Sequence, residues 1–143
     1  MNKTEQTQDT AESQARAQVE SIVDMMEALQ TAQESGSVDF DGYEYDEDKM
    51  REHIDQNALS VVVRNSWHTP GSESTPDEFS ILLCTGGPAV RLIGNLSEHC
   101  EPERVRVQFQ DWGTGWAEWM GITSEQREAV LSYCQLHYFG ESA

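Results

Sequence analysis

Residues 79–94 read "FSILLCTGGPAVRLIG", and this stretch decides the fold. Its two flanks, 79–85 and 89–94, are rich in the β-branched and aromatic residues that are typical of strands. The intervening "GGP" at 86–88 is typical of a tight turn. The stretch therefore predicts an antiparallel hairpin in the second half of the chain.

Two further segments extend this hairpin into a sheet. Residues 59–64 read "LSVVVR", and residues 104–110 read "RVRVQFQ", in which apolar and polar side chains alternate. Strict alternation indicates a strand with one buried and one exposed face. The four segments predict an antiparallel meander, with a polar loop, "NSWHTPGSESTPDE", at 65–78.

Helical patterns lie on both sides of the sheet segments. Steps of four and three residues predict a first helix that begins near Ala15 and ends at Gly36. A short second helix is predicted at 46–56, where Asp46 is a suitable N-cap. Thr123 and Gln126 have the spacing of a capping box and predict a C-terminal helix. The apolar stripe of the first helix comprises Ala15, Val19, Ile22, Met26 and Leu29.

These elements predict an α+β fold with a four-stranded antiparallel sheet that helices cover on one face. The expected element order is α-α-β-β-β-β-α. Residues 1–14 are expected to form a flexible tail, and 15–143 a single acidic domain. Within that domain, an acidic helical part at 15–57 precedes the sheet and the last helix at 59–140.

The charge of the chain restricts its partners. It has 26 acidic and 9 basic residues and a net charge of −17, and residues 1–58 alone hold 15 acidic and 4 basic residues. Such a charge disfavours direct binding to nucleic acid and to anionic membranes, and it favours a basic partner. No apolar run reaches the roughly 20 residues of a membrane span. The three cysteines are widely spaced and odd in number, which indicates reduced thiols in the cytoplasm.

The acidic stretch "DFDGYEYDEDKMREH" at 39–53 comes close to a calcium loop. Counted from Ser37, it places suitable residue types at several ligand positions. Serine instead of aspartate at position 1, Glu44 at position 8 and the short Asp48 at position 12 count against calcium. An acidic turn between two helices is the favoured interpretation, and no metal or cofactor is predicted. The residues that match the calcium pattern are Ser37, Asp39, Asp41, Gly42 and Asp48.

No catalytic residue is predicted. Cys84, His68 and Asp111 could in principle serve as nucleophile, base and orienting acid, but no nucleophile elbow or oxyanion loop accompanies them. A buried structural thiol is the favoured interpretation of Cys84. His99 and Cys100 have no CxxC or HxxxH partner pair, so zinc is disfavoured.

Three of the four tryptophans cluster at 111–120, as Trp112, Trp116 and Trp119. They could form an aromatic partner surface, because tryptophan is enriched in binding hot spots. A corner that caps the core is the favoured alternative. An interaction module that uses these rings or the N-terminal helix, with acidity serving only solubility, is the alternative function. A homodimer through the N-terminal helix is a further expectation.

The acidic residues have two interpretations, solubility and nucleic-acid mimicry. Carboxylates three or four residues apart on a helix lie about 5–6 Å from each other, near the spacing of successive phosphates. The tyrosines could stack on arginine. The predicted partner-binding residues are Glu20, Asp24, Glu27, Asp39, Asp41, Tyr43, Glu44, Tyr45, Asp46, Glu47, Asp48, Glu52 and Asp55.

Four segments of the second half carry a resemblance: "LSVVVRNSWHTPG", "EFSILLCTGGPAVRLIG", "QDWGTGW" and "LSYCQLHYFGE". They resemble a family of small acidic proteins carried by phages, plasmids and integrated elements of proteobacteria. The resemblance implies no catalytic residue. Proteins of this class often inhibit host defence by imitating DNA, as anti-restriction and anti-CRISPR proteins do. The chain is therefore expected to be a cytoplasmic, non-enzymatic inhibitor that occludes a basic nucleic-acid-binding groove.

Overall fold

The computed structural model describes residues 3–86, 88–111 and 113–140, with side chains from residue 10 onward. Within these residues the chain is an α+β structure with three helices and two antiparallel sheets. The helices are α1 (Lys3–Ser35), α2 (Glu47–Asn57) and α3 (Ser124–Gln135). The strands are β1 (Val38–Phe40), β2 (Tyr43–Tyr45), β3 (Ser60–Arg64), β4 (Glu78–Cys84), β5 (Ala89–Leu96), β6 (Pro102–Gln110) and β7 (Ala117–Glu118).

The predicted meander is confirmed as part of a larger sheet. Its strands follow each other in the order β3-β4-β5-β6-β7, and all neighbours are antiparallel. The four-stranded prediction is wrong by one strand, because β7 pairs with the end of β6 through Gln108↔Glu118 and Phe109↔Ala117. A strand of two residues is too short to produce an alternating pattern in the sequence.

The second sheet is a hairpin that the predicted element order lacks. β1 pairs with β2, and Asp41 and Gly42 connect them with φ values of 50° and 82°. Two consecutive residues with positive φ make the type I′ turn that Asp-Gly favours in two-residue hairpin loops. Each of its strands has only three residues, which is too few for an alternating pattern, and acidic residues are rare in strands. The sequence of 39–45 therefore does not indicate this hairpin.

Helix α1 is longer than predicted. It begins at Lys3 instead of near Ala15, and Ala11 is buried. The prediction of a tail at 1–14 is therefore wrong for residues 10–14, which belong to a helix packed on the core. Alanine is the best helix former and contributes little to an apolar pattern, so this extension has a weak signal in the sequence. Residues 1 and 2 lie outside the described part of the chain.

The caps of the two shorter helices are as predicted. Asp46 accepts a hydrogen bond from the backbone N–H of Lys49 at 2.8 Å and caps α2. Thr123 and Gln126 form a reciprocal capping box at the start of α3. Each helix therefore begins where its side chains satisfy backbone N–H groups that have no partner inside the helix.

One face of the five-stranded sheet lies against the helices. Phe79, Ile81 and Leu83 of β4 are buried, whereas the residues that alternate with them are half-buried. The same face continues through Leu92 and Val107, in register with Ile81. It packs against α1 and α3 in a single core. None of the described helices combines the length and the apolar composition that a membrane span requires.

Candidate protein-binding surface

The exposed carboxylates of α1 lie opposite its buried stripe. Ala15, Val19, Ile22 and Leu29 are buried, while the predicted Met26 is half-buried and Met25 takes its place in the core. Glu20, Asp24 and Glu27 are exposed and follow each other at helical spacing. The predicted stripe therefore serves the core of its own domain.

Helix α2 presents a second row of carboxylates. Met50 and Ile54 are fully buried, and Asp48, Glu52 and Asp55 are exposed on the opposite face. Because the helices form a layer over one sheet face, this row and that of α1 point away from the sheet. We define the acidic surface as the exposed carboxylates of α1 from Glu20 to Glu27, of the β1–β2 hairpin and of α2.

Two of the predicted binding carboxylates hold α2 in place, whereas Glu52 accepts a hydrogen bond within α2, from Gln56 at 3.3 Å. Asp46 caps α2. Glu47 is half-buried and accepts hydrogen bonds from Arg51 at 3.2 Å and from Gln33 at 3.4 Å, so it joins α2 to the last turn of α1. Substitutions at these two positions would alter the helix as well as its charge.

The hairpin holds two carboxylates directly opposite each other. Asp39 and Glu44 are cross-strand partners, and both are exposed. Asp41 is exposed at the turn between them. Like charges in this arrangement destabilise a hairpin. The hairpin therefore maintains a local concentration of negative charge that is unfavourable for its own folding.

The two predicted tyrosines differ in accessibility. Tyr43 is exposed and available to a partner. Tyr45 is half-buried, and the centre of its ring lies 6.2 Å from the ring centre of Phe40 and 5.4 Å from that of His53. Tyr45 therefore attaches the hairpin to α2 and offers less surface for contact than Tyr43.

The outer face of the five-stranded sheet has a different electrostatic character. Four of the nine basic residues lie on it in adjacent strands: Arg64, Arg91, Arg104 and Arg106. Glu78 pairs with Arg64, and Glu118 pairs with Arg106 at 2.5 Å. The charges are thus unevenly distributed: the outer sheet face carries four guanidinium groups, two of them paired with glutamate, whereas most of the carboxylates lie on the helices and the hairpin. In the sequence, the arginines Arg104 and Arg106 alternate with the buried valines of 104–110 and so indicate a basic outer face. The sequence predictions did not use this pattern.

The tryptophans divide between the core and the outer face. Trp119 is buried, so it caps the core as the favoured interpretation expected and is not accessible to a partner. Trp116 is half-buried, and the guanidinium carbon of Arg91 lies 4.1 Å from the centre of its ring. Trp112 lies outside the described residues. Trp67, which the sequence predictions did not select, is the fully exposed ring, in the loop after β3.

The hypothetical catalytic set is not assembled. His68 lies beside Asp77 and Glu78 at the start of β4, whereas Cys84 ends that strand, about 20 Å away at ~3.3 Å per residue. Burial raises the pKa of the Cys84 thiol, which disfavours the nucleophilic thiolate. The calcium pattern is divided between the hairpin and α2, so it forms no continuous loop. Among the described residues, no three His, Cys, Asp or Glu side chains form a group that could hold a metal ion.

His137 makes stability dependent on pH. It is buried beside Tyr133, whose carbonyl oxygen lies 3.0 Å from Nδ1, and desolvation lowers the pKa of its ring. An unfolded histidine titrates near pH 6.5, so below that pH the unfolded state binds the proton more readily than the native state. Stability is therefore expected to fall as the pH decreases from 7.5 to 5.5. Urea unfolding should show a smaller decrease for His137→Phe, and equal decreases would contradict this role.

The chain matches no protein-family model, no curated protein and no solved structure. The candidate surface therefore has to be interpreted from its geometry and charge.

Proposed function

We propose that this protein is a non-enzymatic inhibitor whose acidic surface imitates DNA. It would act in the cytoplasm and occupy the basic nucleic-acid-binding groove of a host defence complex or nuclease, in the manner of anti-restriction and anti-CRISPR proteins. A mobile-element origin, to which the sequence resemblance points, belongs to the same proposal.

The placement of the carboxylates carries this proposal. The α1 row and the α2 row are built on rigid helices whose opposite faces are buried, and the hairpin places Asp39 across from Glu44. Among the described residues, Asp48, Glu52 and Asp55 form no ion pair with a basic side chain. Charges that are fixed and unneutralised are those that a groove lined with lysine and arginine attracts.

Solubility alone explains the acidic surface less well. Solubility requires net charge but no particular arrangement, and it is satisfied by charges distributed over the whole surface. Here the outer sheet face carries four of the nine basic residues, and the hairpin keeps a destabilising pair of like charges. This uneven arrangement orients the molecule, so that its helical side approaches a basic partner first.

The mechanism would be competitive occlusion. Carboxylates on successive helical turns would take the positions of phosphates and bind the arginine and lysine side chains of the groove. The exposed Tyr43 ring could stack on an arginine beside them. Because the contact is electrostatic, its affinity is expected to decrease steeply with salt concentration.

Charge reversal on α2 tests the proposal. We expect the triple variant Asp48→Lys, Glu52→Lys and Asp55→Lys to bind the partner about 100-fold or more weakly, because several like charges would face the groove. These positions avoid the cap Asp46 and the Glu47 contacts, so the helix should be retained. Circular dichroism checks the fold.

A matched control separates local charge from net charge. Glu98→Lys, Glu101→Lys and Glu103→Lys produce the same change in net charge at exposed positions around the β5–β6 turn, away from the acidic surface. The control variant should bind nearly as well as the parent. If both triple variants lose the same affinity, net charge determines binding and the mimicry proposal is wrong.

The partner is to be isolated first, by capture from a host lysate at low salt and elution at high salt. The captured protein should bind duplex DNA, and the parent chain should displace that DNA in a fluorescence anisotropy competition. A ternary complex of the partner, the chain and DNA would contradict occlusion.

A further inference from the structure

Exposed apolar side chains are concentrated along the edge strand β3. Leu59, Val62, Val63 and Trp67 are four of the seven large apolar side chains that the described residues expose. β3 is at one end of the strand order and pairs only with β4 in the described sheet. On the side of β3 that faces away from β4, every second residue therefore presents backbone N–H and C=O groups that no strand of the described sheet pairs, as in any edge strand.

This edge has no proline and no bulge, and its one charged side chain, Arg64, lies at its last position and pairs with Glu78. Edge strands are normally protected by charged side chains, by proline or by bulges. Residues 60–63 read "SVVV", and their register with β4 is continuous. The opposite edge of the sheet, β7, has only two residues and ends in the charged Glu118.

The charge around β3 indicates which partner fits. Residues 56–72 contain no Asp or Glu, in a chain that has 26 of them. Two copies of a molecule with a net charge of −17 repel each other, so they approach most easily where acidic residues are few. The carboxylates that contact this segment are already engaged, Glu78 by Arg64 and Asp77 by the backbone N–H of Ser66. A basic partner would instead be attracted to the acidic surface. The β3 edge therefore fits a second copy of this chain.

We propose that β3 pairs antiparallel with the β3 strand of a second copy, in a register centred on Val62. Val62 then faces the partner's Val62, and Val61 faces the partner's Val63. Ser60 faces the partner's Arg64. Valine pairs across strands are favourable, and no like charges oppose each other in this register. The two five-stranded sheets would become one sheet of ten strands around a twofold axis.

The flanks of β3 would extend this contact. Leu59 precedes the strand, and Trp67 follows it in the adjoining loop. Antiparallel pairing brings the start of one strand beside the end of the other, so Leu59 would approach the loop that carries the partner's Trp67. The dimer therefore covers the exposed apolar side chains at both ends of the strand as well as at its centre. It leaves the acidic surface free and does not depend on the proposed inhibition.

Disulfide trapping tests the register. Val62→Cys places two thiols opposite each other at the twofold axis, where paired residues in antiparallel strands are close enough for a disulfide. Mild oxidation should convert this variant into a covalent dimer of twice the 16.1 kDa chain mass. Met120→Cys, at a more exposed position away from β3, is the control and should remain uncrosslinked, as should the parent with its three native cysteines. Equal trapping at both positions, or none at Val62, would overturn the proposal.

Sedimentation equilibrium tests the dimer without oxidation. The parent should form dimers when its concentration is raised to about 100 μM. Val62→Lys should raise the dimer dissociation constant at least tenfold, since two lysines would then face each other. Met120→Lys is the matched control and should leave the constant unchanged, while circular dichroism checks that both variants are folded. A parent that is monomeric throughout this range, or a Val62→Lys variant that dimerises like the parent, would refute self-pairing, even if β3 binds a strand of another protein.

Discussion

Gly94→Ala is expected to destabilise the protein by about 3 kcal/mol or more, because β5 and β6 would have to separate. A Cβ atom at Gly94 would lie 1.8 Å from the carbonyl oxygen of Arg104 on the neighbouring strand. It would also lie 3.0 Å from the ring of Phe79, which packs against Phe139 with 4.9 Å between ring centres. A backbone oxygen cannot move aside as a flexible side chain can. Urea unfolding measures the effect.

Gly115→Ala is the matched control for this substitution. Its Cβ would meet no atom within 4 Å, and its φ lies outside the left-handed region, so stability should change by less than about 0.5 kcal/mol. A Gly94→Ala variant as stable as Gly115→Ala would show that the two central strands are not as closely paired as the structure indicates.

Tyr133→Ala is expected to cost about 3–5 kcal/mol of unfolding free energy, because it would leave a cavity in the core. Tyr133 is the largest of the fully buried side chains. Its ring contacts that of His137, with 4.7 Å between centres, and its hydroxyl donates a hydrogen bond to Asn57 at 2.8 Å. The side chain thus connects α3 to the end of α2.

Tyr133→Phe separates the ring from the hydroxyl. It retains the packing and removes only the hydrogen bond to Asn57, so the expected loss is about 1 kcal/mol. Thermal or urea unfolding of the two variants should therefore give clearly different midpoints. Equal losses would mean that the hydrogen bond, and not the ring, makes the main contribution at this position.

The two proposed contacts use surfaces of opposite character. The acidic surface suits a basic partner, and the β3 edge suits a second copy because residues 56–72 contain no Asp or Glu. A dimer through β3 would carry two acidic surfaces, so one assembly could bind two grooves or two positions along one groove. Partner binding by the monomeric Val62→Lys variant distinguishes the two contacts, since occlusion by a single copy should persist.

The regular elements were predictable because their signals are local. Val105, Val107 and Phe109 alternate with polar residues, and this pattern alone indicates a strand with one buried face. Asp46 and Thr123 were predicted as caps because the preference for an oxygen at the N-cap depends only on adjacent residues. The β1–β2 hairpin and β7 were missed because strands of two or three residues provide too few positions for a periodic pattern.

The candidate surface was only partly predictable. The carboxylate rows of α1 and α2 follow from helical spacing, and their exposure agrees with the prediction. The structural contacts of Glu47 with Gln33 and Arg51 depend on how α1 and α2 pack, which no local pattern reveals. Neither Trp119 nor Trp67 lies in a periodic pattern that indicates its accessibility, yet one is buried and the other is fully exposed.

The sequence by itself determined the net charge, the helical spacing of the carboxylates and the order of the main strands, because these depend on composition and on neighbouring residues. Only the tertiary structure decided that four arginines share the outer sheet face, that Asp39 faces Glu44, and that β3 is an edge. The first and third features are relations between segments distant in the chain, and the second arises when two three-residue strands pair, which no periodic pattern predicts. Both proposed contacts depend on them.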